Sequence, residues 1–332
     1  MQKLTMGEAV RGALAGEMRR DPAVFIAGEG VGQGIHESPV MPTYGLLREF
    51  GPRRVKDTPV SEAAIAGLAV GASAMGLRPV VEVMYSPFFT IASDQIVNHA
   101  AKLRYLSGGK SRFPMVVRIK TGVPGAGCQH AHNLEAWVAH CPGLKVVMPA
   151  TPADAGGLLR TAVRDDNPVI FFEDMTLYFI PQPVPDGEYT IPIGLADVKR
   201  PGRDVTVVTW SKMLLTALKA AGELSREGVE TEVIDARTLV PLDKETIIKS
   251  VEKTGRLVVL HEATLTGGFG GEIAALVAEE AFGSLKAPIK RVAAPDIPVP
   301  FSPPLEKFFI PDEARLTAAI RDLIDGNRFG GR

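Results

Sequence analysis

The sequence predicts an α/β protein of two domains, each a mostly parallel sheet flanked by helices. Three observations carry this. Short apolar strands alternate with helical stretches along most of the chain, the rhythm of strand–helix–strand units. A stretch rich in proline and glycine, PQPVPDGEYTIPIGLADVKRPGRD at 181–204, holds no sustained period and interrupts that rhythm. The 332 residues are also too many for one ordinary core and suit two. Domains are therefore expected over 1–185 and 205–332, joined by a linker over 186–204.

The elements follow in order. MQKLTMGEAVRGALAGEMRRD at 1–21 reads as an amphipathic helix rather than a signal peptide, because it lacks a continuous apolar core and a cleavage site. VFIAGE (24–29) is a strand ending in an acid. DTPVSEAAIAGLAVGASAMG (57–76) opens with a turn signal, carries one acid, Glu62, and continues as a helix rich in Ala and Gly. Such small residues suit a helix squeezed between other elements, so Glu62 is expected to be partly buried. A buried carboxylate is costly unless something polar meets it, although an acid at a helix mouth also complements the dipole. RPVVEVMY (78–85) is the next strand. A helix over 93–109 ends in a glycine pair suited to a C-cap. FPMVVRIK (113–120) is a strand that runs into the glycine-rich loop TGVPGAGCQHAHN. GLKVVMPAT, DAGGLLRTAVRDD and NPVIFFED repeat the pattern. Beyond the linker, VTVVTW (205–210) and TEVIDART (231–238) flank a helix. RLVVLHEA (256–263) then precedes the glycine turn and helix of TGGFGGEIAALVAEEAF, and IKRVAAPDIPVP and the helix DEARLTAAIRDLI close the domain.

Composition removes several function classes. Net charge is −1 and 23% of residues are charged, which argues against nucleic-acid or anionic-membrane binding. No apolar run approaches the roughly 20 residues of a spanning helix. Two cysteines, Cys128 and Cys141, offer no disulfide framework and suit a reducing cytoplasm, the expected compartment. The chain has no phosphate loop ending in Gly-Lys-Ser/Thr, no GxSxG elbow and no HExxH.

Two motifs remain. GEGVGQG (28–34) and TGGFGGE (266–272) follow strands but lack the spaced dinucleotide fingerprint. The second can cradle an anion on helix amides or simply allow a tight passage from strand to helix. His130 and His132 lie in a glycine-rich loop beside Gln129 and Asn133. They read either as surface histidines or as ligand-facing groups, since this loop follows a parallel strand, where open α/β sheets place their ligands. A zinc site would need further ligands at a suitable spacing. Catalysis, if present, rests on Glu62 and the His130 loop.

Matching stretches extend across both domains: GEGVG at 28–32, FGPRRVKDTPVSE at 50–62, GLRPVVEVMY at 76–85, DQIVNHAAKLRYLSGG at 94–109, QHAHNLEAW at 129–137, HCPGLKVVMPATPADAGGLL at 140–159, HEATLTGGFGGEI at 261–273 and APDIPVP at 294–300. In these the chain resembles, over nearly its whole length, the beta subunit of the thiamine-diphosphate-dependent 2-oxo-acid dehydrogenase component. That family includes the pyruvate, branched-chain 2-oxo-acid and acetoin dehydrogenases. The resemblance implies a pyrimidine-binding thiamine-diphosphate fold followed by a transketolase C-terminal-like domain.

It also implies roles. Glu62 stands where the family's acid hydrogen-bonds the aminopyrimidine ring nitrogen. A carboxyl group shielded from water readily shares a proton there, which activates the thiazolium carbon for attack on the 2-oxo acid. Val60 lines that ring through its backbone, and Phe88 stacks on it. His130 matches the histidine that assists transfer of the acyl group to the lipoyl group of an acyltransferase. Ala131, His132, Asn133 and Pro87 depart from the family pattern. No GDG segment for magnesium and diphosphate occurs, so the resemblance assigns Mg2+ and the diphosphate end to an alpha subunit in an alpha2beta2 heterotetramer. A structural potassium ion is implied at Met115, Ala162, Val163, Asp165 and Asn167, and the oxygen-rich RDDNP turn agrees with a hard cation, although a plain helix-ending turn fits equally. The implied activity is decarboxylation of a 2-oxo acid and acylation of the lipoyl disulfide, with the alpha subunit required. An acetoin dehydrogenase subunit and a split transketolase-like subunit are the alternatives. The identity of the 2-oxo acid is not legible.

Overall fold

The computed structural model describes residues 1–32 and 38–326, so the end of the GEGVGQG turn lies outside the described residues. The chain divides into two compact units, Met1–Ile193 and a second that begins at Gly194. In the first, β1 (Gln2–Leu4) and α1 (Met6–Arg20) precede β2 (Val24–Gly28), α2 (Leu46–Phe50) and β3 (Val55–Asp57). Next come α3 (Glu62–Ala74), β4 (Arg78–Val83), α4 (Phe89–Ser93), α5 (Ala101–Leu106), β5 (Val116–Thr121) and α6 (Glu135–Ala139). β6 (Lys145–Val147), α7 (Pro152–Arg164), β7 (Val169–Asp174) and β8 (Gln182–Val184) complete the unit.

Six of its strands form a parallel sheet in the order β6-β7-β5-β4-β2-β3. β2, β5 and β7 are buried at every position, the signature of a parallel sheet covered on both faces. α1 is one of the covers. Met6, Val10, Leu14 and Met18 recur every four residues and are buried, which places them on one helix face. Thr5 and Glu8 start the helix with a reciprocal capping box, and the Asp21 amide closes it on the Glu17 carbonyl. Burying each such side chain contributes about 1.5–3 kcal/mol, and the face packs on α7. The expected helix over 93–109 is observed from Phe89 to Leu106, with a π-helical segment at Asp94–Ala100 between α4 and α5.

α3 departs from expectation. Its inner face, Glu62, Ile65, Ala66, Ala69 and Ser73, is buried, and the helix packs on β4 and α4. Its other face is open within this chain: Ala63, Ala64, Gly71 and Ala74 are exposed, together with Leu68 and, just beyond the helix, Met75 and Leu77. The small residues of this outer face, unlike Ala66 and Ala69, therefore do not lie between described elements of the same chain.

The second unit begins with β9 (Asp197–Arg200), β10 (Val205–Thr209), α8 (Met213–Ser225), β11 (Thr231–Asp235) and β12 (Thr238–Val240). α9 (Lys244–Thr254), β13 (Leu257–Thr264), α10 (Gly270–Glu280), β14 (Lys290–Ala294), α11 (Pro303–Phe309) and α12 (Glu313–Asp325) follow. Its sheet runs β14-β13-β10-β11-β9, parallel except for β9. The proline-rich stretch 181–204 thus carries two short strands. β8 pairs antiparallel with β1 in the first unit, and β9 edges the sheet of the second.

Candidate active site

Glu62, Phe88 and His130 follow the carboxyl ends of β3, β4 and β5 respectively. The chain leaves β3 at Asp57, whose Oδ1 accepts a 2.6 Å hydrogen bond from the Gly32 amide, while the Thr58 amide donates to the Gly28 carbonyl at 3.0 Å. These bonds tie the end of β2 to the turn that delivers Glu62. Glu62 is the first residue of α3, and Ser61 before it makes no side-chain cap, so the first amides of the helix lack a side-chain acceptor from that position. The residue is 5% exposed. Among the described residues its carboxylate has no hydrogen-bond or ion-pair partner. Val60, two positions earlier, is 67% exposed.

At the end of β4, Tyr85 leads into a 3-10 turn, Ser86–Phe88. The Phe88 and His130 rings meet edge to face at 5.4 Å, and Tyr85 closes the group at 4.8 Å from His130 and 6.0 Å from Phe88. Sequence reasoning named Phe88 and His130 but missed Tyr85; its signal was an aromatic residue at a strand end just before Ser-Pro-Phe. The loop that carries His130 is pinned near its base and its tip. Asn133 accepts from the Gly122 amide at 3.0 Å and from the Thr121 hydroxyl, and the His130 amide donates to the Gly127 carbonyl at 3.1 Å. Gly122 has φ +94° and sits against the Asp174 carboxylate, where a side chain would collide. Burial pushes the His132 imidazole below its ordinary range, favouring its neutral form.

Beneath these strand ends lies a buried ion network that the sequence reading also missed. Arg118 donates to Glu173 at 2.6 and 2.7 Å and to Glu82 at 2.8 Å. Lys120 pairs with Glu82 at 2.7 Å, and the Tyr178 hydroxyl donates to Glu173. Burial by itself lowers the Arg118 pKa, but the two carboxylates outweigh it and hold the guanidinium charged. The signal in the sequence was VVRIK, two cations two apart in a strand buried on both faces.

The five positions considered for potassium lie around the C-terminus of α7 and the start of β5. The Val163 and Asp165 carbonyls both accept from Arg78 at 3.0 Å. The Ala162 carbonyl accepts from the Asp165 amide at 3.3 Å, and that of Met115 from the Val169 amide at 2.9 Å. Asn167 donates its side-chain amide to Asp165 at 2.8 Å, and Lys145 pairs with the same carboxylate. Burial pushes the Asp165 carboxyl up, but Lys145 and Asn167 outweigh that and hold it below the usual range. Among the described residues no group of three or more His, Cys, Asp or Glu side chains is arranged to hold a metal ion. No described helix is long and apolar enough to cross a membrane.

The residues present fit the aminopyrimidine end of thiamine diphosphate. A sheltered carboxyl group without a partner among the described residues follows β3, and an aromatic group follows β4, two strands away in the sheet. Comparison with known proteins agrees. Residues 2–180 match the transketolase pyrimidine-binding domain, and residues 194–316 match the transketolase C-terminal domain. The chain is 45% identical, over 98% of its length and 99% of the relative's, to the acetoin:2,6-dichlorophenolindophenol oxidoreductase subunit beta of Cupriavidus necator. It is 44% identical, over 98% of its length and 100% of the relative's, to the 2-oxoisovalerate dehydrogenase subunit beta of Bacillus subtilis. Among solved structures, a split-gene transketolase, an inactive beta4 tetramer, superposes with a TM-score of 0.80 at 22% identity, over 98% of this chain and 100% of that one; this likeness is one of fold. On this identity, carried across both domains, the chain belongs to the thiamine-diphosphate-dependent family of 2-oxo-acid dehydrogenase beta subunits.

Proposed function

We propose that the chain is the beta subunit of a decarboxylating 2-oxo-acid dehydrogenase, working with an alpha subunit and passing the acyl group to the lipoyl group of an acyltransferase. The observation that carries this is Glu62: a carboxyl group 5% exposed at the mouth of α3, with no partner among the described residues. A carboxyl group this sheltered, with no partner among the described residues, is placed to take one that arrives with the cofactor. Thiamine diphosphate, when bound, supplies the nucleophilic carbon and the electron sink for decarboxylation. From its place at the mouth of α3, Glu62 would hydrogen-bond the aminopyrimidine ring nitrogen. Phe88 would offer an aromatic face to the pyrimidine, and Val60, an exposed residue, its backbone. His130, oriented by Tyr85 and Phe88, moves a proton during transfer to the lipoyl sulfur.

The open apolar face of α3 supports a subunit contact beside Glu62. The alpha subunit is proposed to bring the diphosphate and Mg2+ sites, in an alpha2beta2 assembly within the cytoplasm. A structural potassium ion is proposed at Met115, Ala162, Val163, Asp165 and Asn167, where the carbonyls of Met115, Ala162, Val163 and Asp165 each keep a second lone pair beside the hydrogen bond they accept. A melting temperature higher in potassium chloride than in choline chloride at equal ionic strength checks this; equal values remove the ion.

The decisive experiment reconstitutes the complex and compares wild type with Glu62→Ala, using an artificial electron acceptor so that the lipoyl partner is not needed. Turnover is expected to disappear while assembly persists. Full activity in the variant would overturn the role. The substrate is a separate matter. Relatives named for acetoin and for 2-oxoisovalerate stand at 45% and 44% identity, so likeness does not choose between them. Rates on pyruvate, 2-oxoisovalerate and acetoin do, and ketol transfer between sugar phosphates would favour a split transketolase instead.

A further inference from the structure

Beyond that reading, the second unit holds a cavity of about 320 Å³ at the carboxyl ends of β13 and β14, lined by Leu265, Arg291, Ala293, Asp296 and Arg315 among others. We propose that it binds a small-molecule oxyanion, a phosphate or a carboxylate. The two guanidinium groups carry the proposal. Arg291 donates to the Leu265 carbonyl at 3.1 Å, and Arg315 to the Ala293 carbonyl at 2.6 Å and the Phe308 carbonyl at 3.5 Å. These main-chain bonds clamp both side chains yet use only part of the five donors that each guanidinium has. Neither has an ion-pair partner among the described residues. Arg321 on nearby α12, by contrast, pairs with Glu227 at 2.6 Å.

The cavity's acid offsets only part of their charge: the Thr266 bonds first, and the nearby charge of Arg291 after them, hold the Asp296 carboxyl below its usual range. Both Asp296 oxygens are engaged by Thr266, from its amide at 2.9 Å and its hydroxyl at 2.6 Å. Two guanidinium groups and one carboxylate leave the lining net positive. A planar fork is the geometry that takes an oxyanion through two parallel hydrogen bonds. The place agrees, since ligands of open α/β sheets bind outside the carboxyl ends of parallel strands. The volume lies near the lower end for small-molecule sites, which favours a compact anion over a polymer segment.

The test is a binding titration, which does not depend on turnover or on the role of Glu62. Inorganic phosphate and citrate are titrated by calorimetry into the full chain and into the reconstituted complex, at an ionic strength held constant with sodium chloride. Saturable binding of at least one anion is expected, weakened tenfold or more in Arg291→Gln and in Arg315→Gln. Binding of phosphate alone identifies a phosphate ester as the ligand class, and binding of citrate alone a carboxylate. Should a glutamine variant not fold, Arg315→Lys keeps the charge, removes the fork and is expected to weaken binding in the same direction. No saturable binding of either anion by the wild type overturns the proposal, as does unchanged affinity in the arginine variants.

Discussion

Glu62 and the pair Glu82 and Glu173 are all buried carboxylates of the first unit, 5%, 2% and 0% exposed, and the fold treats them in opposite ways. Glu82 and Glu173 lie on β4 and β7, flanking β5, and receive Arg118 and Lys120 across the sheet. Glu62 begins a helix, and among the described residues nothing answers it. Burial alone therefore does not mark a functional acid. A buried acid that the chain itself satisfies belongs to the architecture, while one left for an outside partner belongs to the chemistry.

This contrast breaks if the two kinds of acid respond alike to substitution. The largest effect is expected for Glu62→Gln, which keeps the shape but cannot yield a proton. Turnover in the reconstituted complex should fall by about 10²–10⁴-fold, with a denaturation midpoint close to that of wild type. A comparable loss of stability would make Glu62 architectural after all. Arg118→Met is expected to show the converse. It leaves two buried carboxylates with one counter-ion and should cost about 3–5 kcal/mol of stability in urea unfolding, a large share of the roughly 5–15 kcal/mol typical of a domain. An unchanged midpoint would show that Lys120 and Tyr178 suffice.

The second unit sharpens the comparison with a buried base. His261 is wholly buried and stacks on Trp210 at 5.4 Å. Burial, reinforced by the charge of Arg291 and only partly offset by the Ala263 backbone, pushes its pKa from 6.5 down to about 4. The unfolded chain then binds a proton that the folded chain refuses. Stability contributed by neutral His261 is therefore full above about pH 6.5 and declines as pH falls toward 4, by on the order of 3 kcal/mol in all. His261→Phe should flatten that part of the stability profile; an unchanged profile would assign the acid sensitivity to other groups. The smallest effect is expected at His130. His130→Gln should slow acylation of the lipoyl group by about 10²-fold and leave decarboxylation with an artificial acceptor much less affected. Equal losses in the two assays would place the histidine at an earlier step.

Much of the fold was legible in the sequence because its causes are local. Apolar runs of five or six residues, the Thr5–Glu8 capping box and the break at 181–204 are each set within a few positions, and the structure contains the strands and α1 where these fall. The outer face of α3 was misread for a matching reason. Small residues show that something packs closely on a helix, but not whether it comes from the same chain. Parts of the candidate site were legible too, since an acid at a helix mouth and a histidine in a glycine loop are features of single segments.

By itself, then, the sequence determined the alternation of elements, the two-part organisation, the membership of a family and the short segments that bear Glu62, Phe88 and His130. The tertiary structure alone decided which side chains meet. Arg118 finds Glu82 and Glu173 across sequence separations of 36 and 55, Tyr85 joins His130 from a different strand end, and Arg291 and Arg315 share one cavity. Such meetings depend on strand register and helix placement, which the whole packed core sets at once. No window of sequence contains that information, and that Glu62 lacks a partner among the described residues becomes visible only once those residues are placed.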